Sequence, residues 1–268
     1  MFLEDLREEN MINTTTKNIY SLVDIKKKVP FSYKQILSCK ALKFLADLQI
    51  NFNYRRLELL SIRNEKNVNL KGAGVDFFNF NKYNDREVKT FGLNQIDSLK
   101  KSISKNNSIS ALDFSSENNP SWPSLMETQL GLREIVDTNC RVFSIETEEP
   151  VDVAVKEVSI VFCGRDLSID EVNFYIDKAP LSASFFDFGL YLYHNAKQLI
   201  ESGSTPTVFI PNIMNYYEAK FWNEFLLFVE QELELETGSI KAVVALDGKL
   251  PEFEKRHIKE ELFEHLVN

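Results

Sequence analysis

Short apolar segments alternate with longer amphipathic segments over the second half of the chain, and this alternation constrains the fold more than any other feature. Predicted strands, rich in β-branched residues, cover residues 109–114, 158–163, 207–211 and 240–246. Predicted helices follow them at residues 121–136, 184–202, 216–233 and 252–267. Such alternation is typical of a parallel sheet whose strands are joined by helices in right-handed crossovers. We therefore expect an α/β fold with about four βα units.

The chain is too short after its first predicted strand for a closed barrel. A complete eight-stranded α/β barrel takes about 250 residues. About 160 residues follow Asn107, and residues 140–155 among them form a predicted insertion. We expect residues 108–268 to form a partial TIM-type barrel.

The N-terminal part has a different character. Residues 1–30 are polar and without period, which predicts a tail. Residues 31–107 are expected to form a helical segment and a loop, with a long helix over residues 33–64. The Asn-rich and Lys-rich stretch at residues 64–84 predicts the loop, and a second helix is expected at residues 93–104.

Charge and composition exclude several function classes. The net charge of −9 argues against nucleic acid, because phosphate binding needs a basic surface. No apolar run reaches the roughly 18 residues of a membrane span. The N-terminus lacks the layout of a signal peptide, and the C-terminal residues 265–268 are not a peroxisomal address, so we expect a cytoplasmic protein. Cys39, Cys140 and Cys163 are too widely spaced for a disulfide framework or a zinc site.

One stretch carries most of the family information. Asp187-Phe188-Gly189-Leu190-Tyr191, followed by His194-Asn195-Ala196-Lys197, resembles the central signature of the malate synthases of the shorter, plant- and fungal-type branch. The segment from Phe31 to Leu60 resembles their N-terminal helical segment, and the whole resemblance covers residues 31–266. It implies condensation of glyoxylate with acetyl-CoA on a TIM-type barrel.

The resemblance also implies a set of catalytic groups. Family members use a magnesium ion held by a Glu and an Asp, an Arg that stabilises the developing oxyanion, and an Asp base. Arg165 falls on an Arg of the family run Arg-Pro-Arg-Gly-Trp-His, which here is Cys163-Gly164-Arg165-Asp166-Leu167-Ser168. Either Arg165 still faces the vestigial site, or it lies at the surface or pairs with Asp166.

Acidic and cationic family positions have changed elsewhere. The family's Asp-Phe-Glu-Asp is Asp113-Phe114-Ser115-Ser116 here, and its Leu-Pro-Lys-Met-Glu is the run from Ile210 to Met214. Asp113 is expected to position backbone, and Trp122 is expected in the core. Asp247 matches the Glu that binds the metal, although an Asp-Gly turn is an alternative use of this residue.

The segments that carry the second metal ligand and the catalytic base in the family have no counterpart in this sequence. We therefore expect a catalytically inactive relative, a pseudoenzyme that acts through protein binding, with no cofactor, or with magnesium if any activity remains. The alternatives are an enzyme completed by a partner chain and a gene remnant without selected function.

The open side of a half barrel is expected to need cover, because an apolar sheet face is costly in water. A protein partner, a homodimer or the N-terminal segment can supply it, with no nucleic acid and no membrane involved. The residues expected on this inner face are Ile109, Leu112, Val161, Phe162, Phe209, Val244 and Leu246.

Overall fold

The computed structural model describes residues 21–65, 82–83, 86–105, 109–115, 117, 119–139, 160–246 and 250–267. Its helices are α1 (Cys39–Glu65), α2 (Ile96–Lys105), α3 (Trp122–Asn139), α4 (Ala183–Glu201), α5 (Tyr216–Glu232) and α6 (Glu252–Glu261), and a 3-10 turn at Phe31–Gln35 precedes them. Its strands are β1 (Val23–Ile25), β2 (Lys82–Tyr83), β3 (Arg86–Gly92), β4 (Ile109–Asp113), β5 (Ile160–Cys163), β6 (Asp170–Ile176), β7 (Ala179–Ser182), β8 (Thr207–Ile213) and β9 (Lys241–Leu246).

The main sheet has six described strands in the order β2-β3-β4-β5-β8-β9. All neighbours from β3 to β9 run parallel, and only the short β2 runs antiparallel to β3. Helices connect successive parallel strands, as the alternation of the sequence predicts. Because β2 and β9 stand at opposite ends of the strand order, the described strands do not close. The predicted fold class, a partial TIM-type barrel, is confirmed.

The sheet contains one parallel strand more than the sequence predicted. Strand β3 pairs in parallel with β4, with Val88 opposite Ile109 and Phe91 opposite Leu112. Helix α2 joins the two strands, so five parallel strands are present where about four units were expected. The segment of β3 carries charged and polar residues between Val88 and Phe91. It therefore lacks the continuous apolar run by which the other strands were recognised.

A second, antiparallel sheet interrupts the βα alternation between β5 and α4. The hairpin of β6 and β7 fills this connection, and β1 pairs with β6, with Val23 opposite Ile176. The expectation of a polar tail up to residue 30 is wrong for Val23–Ile25, which form a strand with Val23 buried. Local sequence cannot reveal this strand, because its pairing partner lies about 150 residues further along.

The long helix α1 packs across α4 and α5. It begins at Cys39, later than predicted, because the preceding residues form the 3-10 turn and Ser38 Oγ then accepts the backbone N–H of Ala41 at 3.3 Å. Gly189 of α4 permits the close approach of α1, because a Cβ atom there would lie 2.7 Å from Leu45 Cδ2 and 2.9 Å from Leu48 Cδ1. Further along, Phe52 packs between aromatic rings of α4 and α5.

The two faces of the main sheet bury different side chains. The helix-covered face carries Leu112 and Phe162, and Phe162 stacks on Tyr191 of α4 with ring centroids 4.5 Å apart. The opposite, inner face forms a separate small cluster of Val88, Ala111, Val161, Cys163 and Phe209, with Val243 and Ala245 partly buried beside it.

The sequence prediction of the inner face was therefore partly wrong. Leu112, Phe162, Val244 and Leu246 pack with the helices, whereas Val161 and Phe209 lie on the inner face as expected. Successive strand residues point to opposite faces, so Val161 and Phe162 cannot share one. The inner-face residues of the central strands are at most 8% exposed.

Several predictions fall on residues outside the described ranges. These are the insertion at residues 140–155, Cys140, Asp247 and most of the predicted loop at residues 64–84. Of the described helices, none combines the length and the apolar character that a membrane crossing requires.

Candidate functional site

The carboxyl ends of β4, β5 and β8 form the candidate site, because active sites of TIM-type barrels lie at this end of the strands. Asp113 ends β4, Cys163 ends β5, and the two residues stand opposite each other in the register. Phe209 is paired with Cys163 from the other side. Strand alternation places Asp113 and Cys163 on the inner face of the sheet.

Arg165 lies two residues beyond β5 and is enclosed by carboxylates. Its Nε donates to Asp187 Oδ2 at 2.8 Å and its Nη2 to Asp187 Oδ1 at 2.7 Å, a bidentate pair. Its Nη1 donates to Glu171 Oε2 at 2.8 Å. All three residues are at most 2% exposed. The guanidinium is therefore held inside the protein, between helix α4 and the hairpin.

The electrostatics of this cluster follow from its burial. Burial lowers the pKa of Arg165, but the carboxylates of Asp187 and Glu171 outweigh it and raise that pKa overall. Burial also raises the pKa of Asp187, and Glu171 acts in the same direction while Arg165 opposes it. The carboxylates of Asp187 and Glu171 thus both bind the guanidinium of Arg165, and they compensate its positive charge inside the protein.

Asp166 was considered as the residue that pairs with Arg165, and the structure shows another arrangement. The Asp166 carboxylate accepts the backbone N–H of Ser168 at 2.8 Å and the Ser168 hydroxyl at 2.6 Å. Its Oδ1 also lies 3.5 Å from Nη1 of Arg63 on α1. The residue that pairs with Arg165 through both carboxylate oxygens is Asp187, the first residue of the family signature, 22 positions along the chain.

Cys163 occupies the inner-face position at the end of β5. Set letter for letter against Arg-Pro-Arg-Gly-Trp-His, the run from Cys163 to Ser168 puts Cys163 on the first Arg and Arg165 on the second. Cys163 is fully buried, and burial together with nearby Asp113 raises the pKa of its thiol well above the usual value. The sequence analysis considered only Arg165, although the alternation from Val161 already indicates which of the two positions faces inward.

Asp113 takes part in a local turn. Its Oδ1 accepts the backbone N–H of Ser115 at 2.8 Å and the Ser115 hydroxyl at 2.5 Å. This agrees with the expected role in backbone positioning. Trp122, which opens α3, is buried in the core beside Phe186, again as expected.

Two arginines of α1 hold the loops that border the candidate site. Arg56 donates through Nε to the carbonyl of Leu167 at 2.7 Å and through Nη2 to Asp170 at 2.6 Å, which fixes the loop after β5. Arg63 binds both carboxylate oxygens of Glu218, at 2.7 and 2.9 Å. The sequence analysis did not anticipate either contact.

Glu218 lies in the first turn of α5, next to the carboxyl end of β8, and stabilises the start of this helix. Its Oε2 accepts the backbone N–H of Met214 at 2.9 Å, and its own N–H donates to the side chain of Asn215, the N-cap, at 3.0 Å. Met214 stands where the family motif has a glutamate, so the fully buried carboxylate near this strand end comes from α5 and is bound by Arg63.

The described donors do not fit a magnesium ion, which requires several oxygen ligands in octahedral geometry. Oδ1 of Asp113 is used by Ser115, and Cys163 and Met214 offer sulfur. Within the described ranges, no three His, Cys, Asp or Glu side chains converge on one point. A cavity of about 450 Å³ opens instead between α1 and α5, lined by Leu59, Ile62, Tyr217 and charged neighbours.

Comparisons with known proteins agree with the motifs. Residues 160–268 match the family model described as malate synthase, TIM barrel domain. The bifunctional glyoxylate cycle protein of Caenorhabditis elegans is 29% identical over 253 residues, which is 87% of this chain and 26% of that protein. The malate synthase of Myxococcus xanthus is 29% identical over 251 residues, 87% of this chain and 46% of that enzyme. The malate synthase of Dictyostelium discoideum is 27% identical over 263 residues, which is 91% of this chain and 48% of that enzyme.

The strand order and the position of the candidate site define an incomplete α/β barrel of the TIM type. With the signature at Asp187 and 27–29% identity along 87–91% of the sequence, the chain is similar to the malate synthases. It spans less than half the length of these three relatives.

Proposed function

We propose that this chain is a malate-synthase-like protein that does not itself condense glyoxylate with acetyl-CoA and that acts through protein binding. The observation that supports the absence of condensation activity is the presence of a cysteine at position 163. It occupies the inner-face position at the end of β5 where the family run has its first Arg, and it is a buried thiol. Condensation generates an enolate, which is costly unless fixed positive charge lies where the oxyanion develops. A protonated thiol supplies none.

Arg165 does not replace the missing charge. Its three donor nitrogens already bind Asp187 and Glu171, and the group is 2% exposed. A substrate oxyanion would have to displace a bidentate carboxylate and leave it buried without its partner, which costs several kcal/mol. We therefore assign Arg165 a structural role.

No resident cofactor is part of the proposal. Should condensation occur, magnesium would be the metal and Asp247 the position of its family ligand. The names of the relatives favour this catalytic alternative, because the Myxococcus and Dictyostelium proteins are called malate synthases.

A thiol-release assay separates the two functions. The purified chain is mixed with acetyl-CoA, glyoxylate and magnesium, and the Myxococcus enzyme serves as the positive control. We expect no release of CoA above the level without glyoxylate. Release that depends on glyoxylate and magnesium, and that disappears in Asp113→Ala, would overturn the proposal. Asp113→Ala is preferred to Arg165→Ala, because removal of Arg165 leaves two buried carboxylates without a cation.

The second half of the proposal, protein binding, concerns the β9 edge, by which we mean the side of strand β9 (Lys241–Leu246) that faces away from β8. On the inner face the central strands are buried, whereas Val243 and Ala245 of β9 are partly exposed. Strand β9 is also the last strand of the described order, and on its side away from β8 the backbone groups of Ala242 bond to His265 and Val267. We propose that a protein partner or a second copy of the chain covers this part of the open barrel.

Light scattering tests the interface. We expect a dimer, or a stable complex with a partner, that is lost in Val243→Lys. Val172→Lys is the matched control, because Val172 is a 54% exposed valine of the other sheet. A monomer at micromolar concentration that Val243→Lys leaves unchanged would contradict a homodimer. Val244→Asp is unsuitable as a probe, because Val244 packs against the main core.

A further inference from the structure

The cavity between helices α1 and α5 has the size and the mixed lining of a small-molecule site. Its volume is about 450 Å³, and ligand pockets commonly measure roughly 300–1,000 Å³, with mostly apolar walls and a few polar groups. The lining that matters here consists of Arg55, Glu58, Leu59 and Ile62 of α1 and of Tyr217 and Lys220 of α5. We call it the α1–α5 cavity.

The α1–α5 cavity lies between two fixed contacts of its helices. At one end, the ring centroid of Phe52 lies 5.7 Å from that of Phe221 and 5.4 Å from that of Phe225. At the other end, Arg63 binds both carboxylate oxygens of Glu218. All five side chains are buried. Because both ends are held in this way, the spacing of the two helices between them is fixed as well.

The floor and one wall of the cavity are apolar. Leu59 belongs to the main core and is buried, whereas Ile62 and Tyr217 are partly open to solvent. The Tyr217 ring packs edge-on against Tyr216, with centroids 5.9 Å apart, and the Tyr216 hydroxyl donates to Glu261 at 2.7 Å. These contacts hold the aromatic wall in place. An apolar side chain of a ligand would gain burial against the floor and this wall.

The charged groups of the lining are not equivalent. Arg55 forms an ion pair with Glu224, and its guanidinium carbon lies 5.9 Å from the centroid of the Phe221 ring. Glu58 and Lys220 differ from it, because neither pairs with another residue in the described part of the chain. The cavity therefore offers a ligand one carboxylate and one ammonium group beside an apolar floor.

Glu58 and Lys220 also lie at the same level of the two helices. Along α1, Glu58 lies between the two arginines that bind glutamates of α5. Along α5, Lys220 lies between those glutamates, Glu218 and Glu224. Helices that are paired at both places bring the intervening residues opposite each other. The lining thus combines opposite charges at one level, which matches a ligand whose ammonium and carboxylate groups are attached to one carbon atom.

We propose that the α1–α5 cavity binds a free amino acid with a large apolar side chain. The ammonium group of the ligand pairs with Glu58, and its carboxylate pairs with Lys220. Its side chain lies on Leu59 and against Tyr217. A ligand with one charge would use only one of the two charged groups, and a ligand without a side chain would leave the apolar floor in water. The site is separate from the strand ends and from the β9 edge, so it does not depend on the function proposed above.

Titration of the whole chain with L-phenylalanine, followed by the amide chemical shifts in NMR, tests the site. We expect saturable binding with a dissociation constant of about 1 mM, typical of a ligand of this size in a partly open site. The amides that shift should be those of residues 55–62 and 217–220. Glycine is the control without an apolar side chain and should not saturate the site at about 10 mM. No saturation by L-phenylalanine, or shifts away from the two helices, would overturn the proposal.

Three analogues separate the parts of the ligand. 3-Phenylpropanoate lacks the ammonium group and phenethylamine lacks the carboxylate, so each should bind about three- to fivefold more weakly than L-phenylalanine, the effect of one exposed ion pair. N-acetyl-L-phenylalaninamide carries the same side chain without charge, as a segment of a protein does, and should bind most weakly of the three. If any of the analogues binds as tightly as L-phenylalanine, the assignment to a free amino acid is wrong.

Two variants connect each charge of the ligand with its partner. Glu58→Gln should weaken L-phenylalanine about three- to fivefold but should not weaken 3-phenylpropanoate, which has no ammonium group. Lys220→Met should weaken L-phenylalanine to a similar degree but should not weaken phenethylamine, which has no carboxylate. The matched controls are Glu232→Gln and Lys197→Met, at exposed positions outside the cavity, and they should bind every ligand like the unmodified chain. Equal effects in the variants and their controls would contradict the assignment of Glu58 and Lys220.

Discussion

Asp187 of helix α4 binds Arg165 through three hydrogen bonds: the bidentate pair from Nε and Nη2, at 2.8 and 2.7 Å, and the backbone N–H of Arg165, at 3.0 Å. The same aspartate begins the signature by which the family is recognised. Its role in this chain is to tie the loop after β5 to α4 through Arg165, which is 2% exposed.

Asp187→Asn should therefore destabilise the fold strongly. We expect the free energy of unfolding to fall by about 1–3 kcal/mol, because an amide nitrogen replaces one of the two carboxylate oxygens and leaves a buried N–H of Arg165 without its acceptor. Chemical denaturation measures it. The control is Asp137→Asn at an exposed pair with Arg133, 3.6 Å apart, where the loss should stay below about 1 kcal/mol. Equal losses at the two sites would contradict the buried pair.

The contact between Arg63 and Glu218 should matter in the same way for the docking of α1. Arg63→Met leaves the fully buried Glu218 without its cation, so we expect a loss of about 3–5 kcal/mol in the free energy of unfolding. Arg55→Met is the control on the same helix, since Arg55 pairs with Glu224 at a half-exposed position. A loss of about 1 kcal/mol or less is expected there. If both variants lose the same amount, Arg63 is not a buried anchor.

His194 should make the protein sensitive to acid. Its Nε2 donates to the carbonyl of Ile36 at 2.8 Å, and burial lowers the pKa of the ring to about 4. Between the ordinary value near 6.5 and about 4, the unfolded chain binds a proton that the folded chain does not, so stability falls as the pH falls through this range.

The size of the His194 effect can be isolated with a substitution. This difference in the pKa of His194 between the unfolded and the folded chain corresponds to a loss of about 3 kcal/mol in the free energy of unfolding between pH 7 and pH 4. His194→Gln keeps a donor for Ile36 but does not titrate, so urea unfolding at the two pH values should show a smaller acid loss in the variant. An acid loss of the same size in both proteins would show that His194 is not its source.

Gly189 should not tolerate a side chain. A Cβ atom there would meet the terminal methyl groups of Leu45 and Leu48 of α1 at less than 3.0 Å, so Gly189→Ala must shift these buried side chains or the helix that carries them. We expect a loss of about 1–3 kcal/mol in the free energy of unfolding, typical of an overpacked core. Gly92→Ala is the control, because a Cβ atom at Gly92 would meet nothing within 4 Å. The prediction is wrong if thermal unfolding shifts equally in the two variants.

The sequence indicated the fold class because local patterns and fold agree over most of the sheet. Strand β8 contains a continuous apolar run, Val208-Phe209-Ile210, that is buried on both faces, and the helix after it carries its apolar side chains at helical spacing. Strand β3 lacks such a run, since Arg86, Glu87 and Lys89 interrupt it, and it was missed. Strand β1 was missed because its three residues acquire their structure only from β6.

The candidate site was predictable only in part. The motif pointed to Arg165, and the alternation of β5 contained the information that Cys163 faces inward. What no pattern contained was the partner of Arg165. Asp166 is its neighbour in the chain and was one of the alternatives considered, but Asp187 and Glu171 reach the guanidinium from α4 and β6.

The sequence by itself indicated the helices, four of the parallel strands and the signature that resembles the malate synthases. These are properties of local periodicity and of residue identity, which each segment carries alone. The tertiary structure alone decided which charges compensate each other. Arg165 with Asp187 and Arg63 with Glu218 meet because packed helices and strands bring distant segments within 2.8 Å. Burial then makes each of these contacts count, because a charge removed from water must find its partner inside the protein.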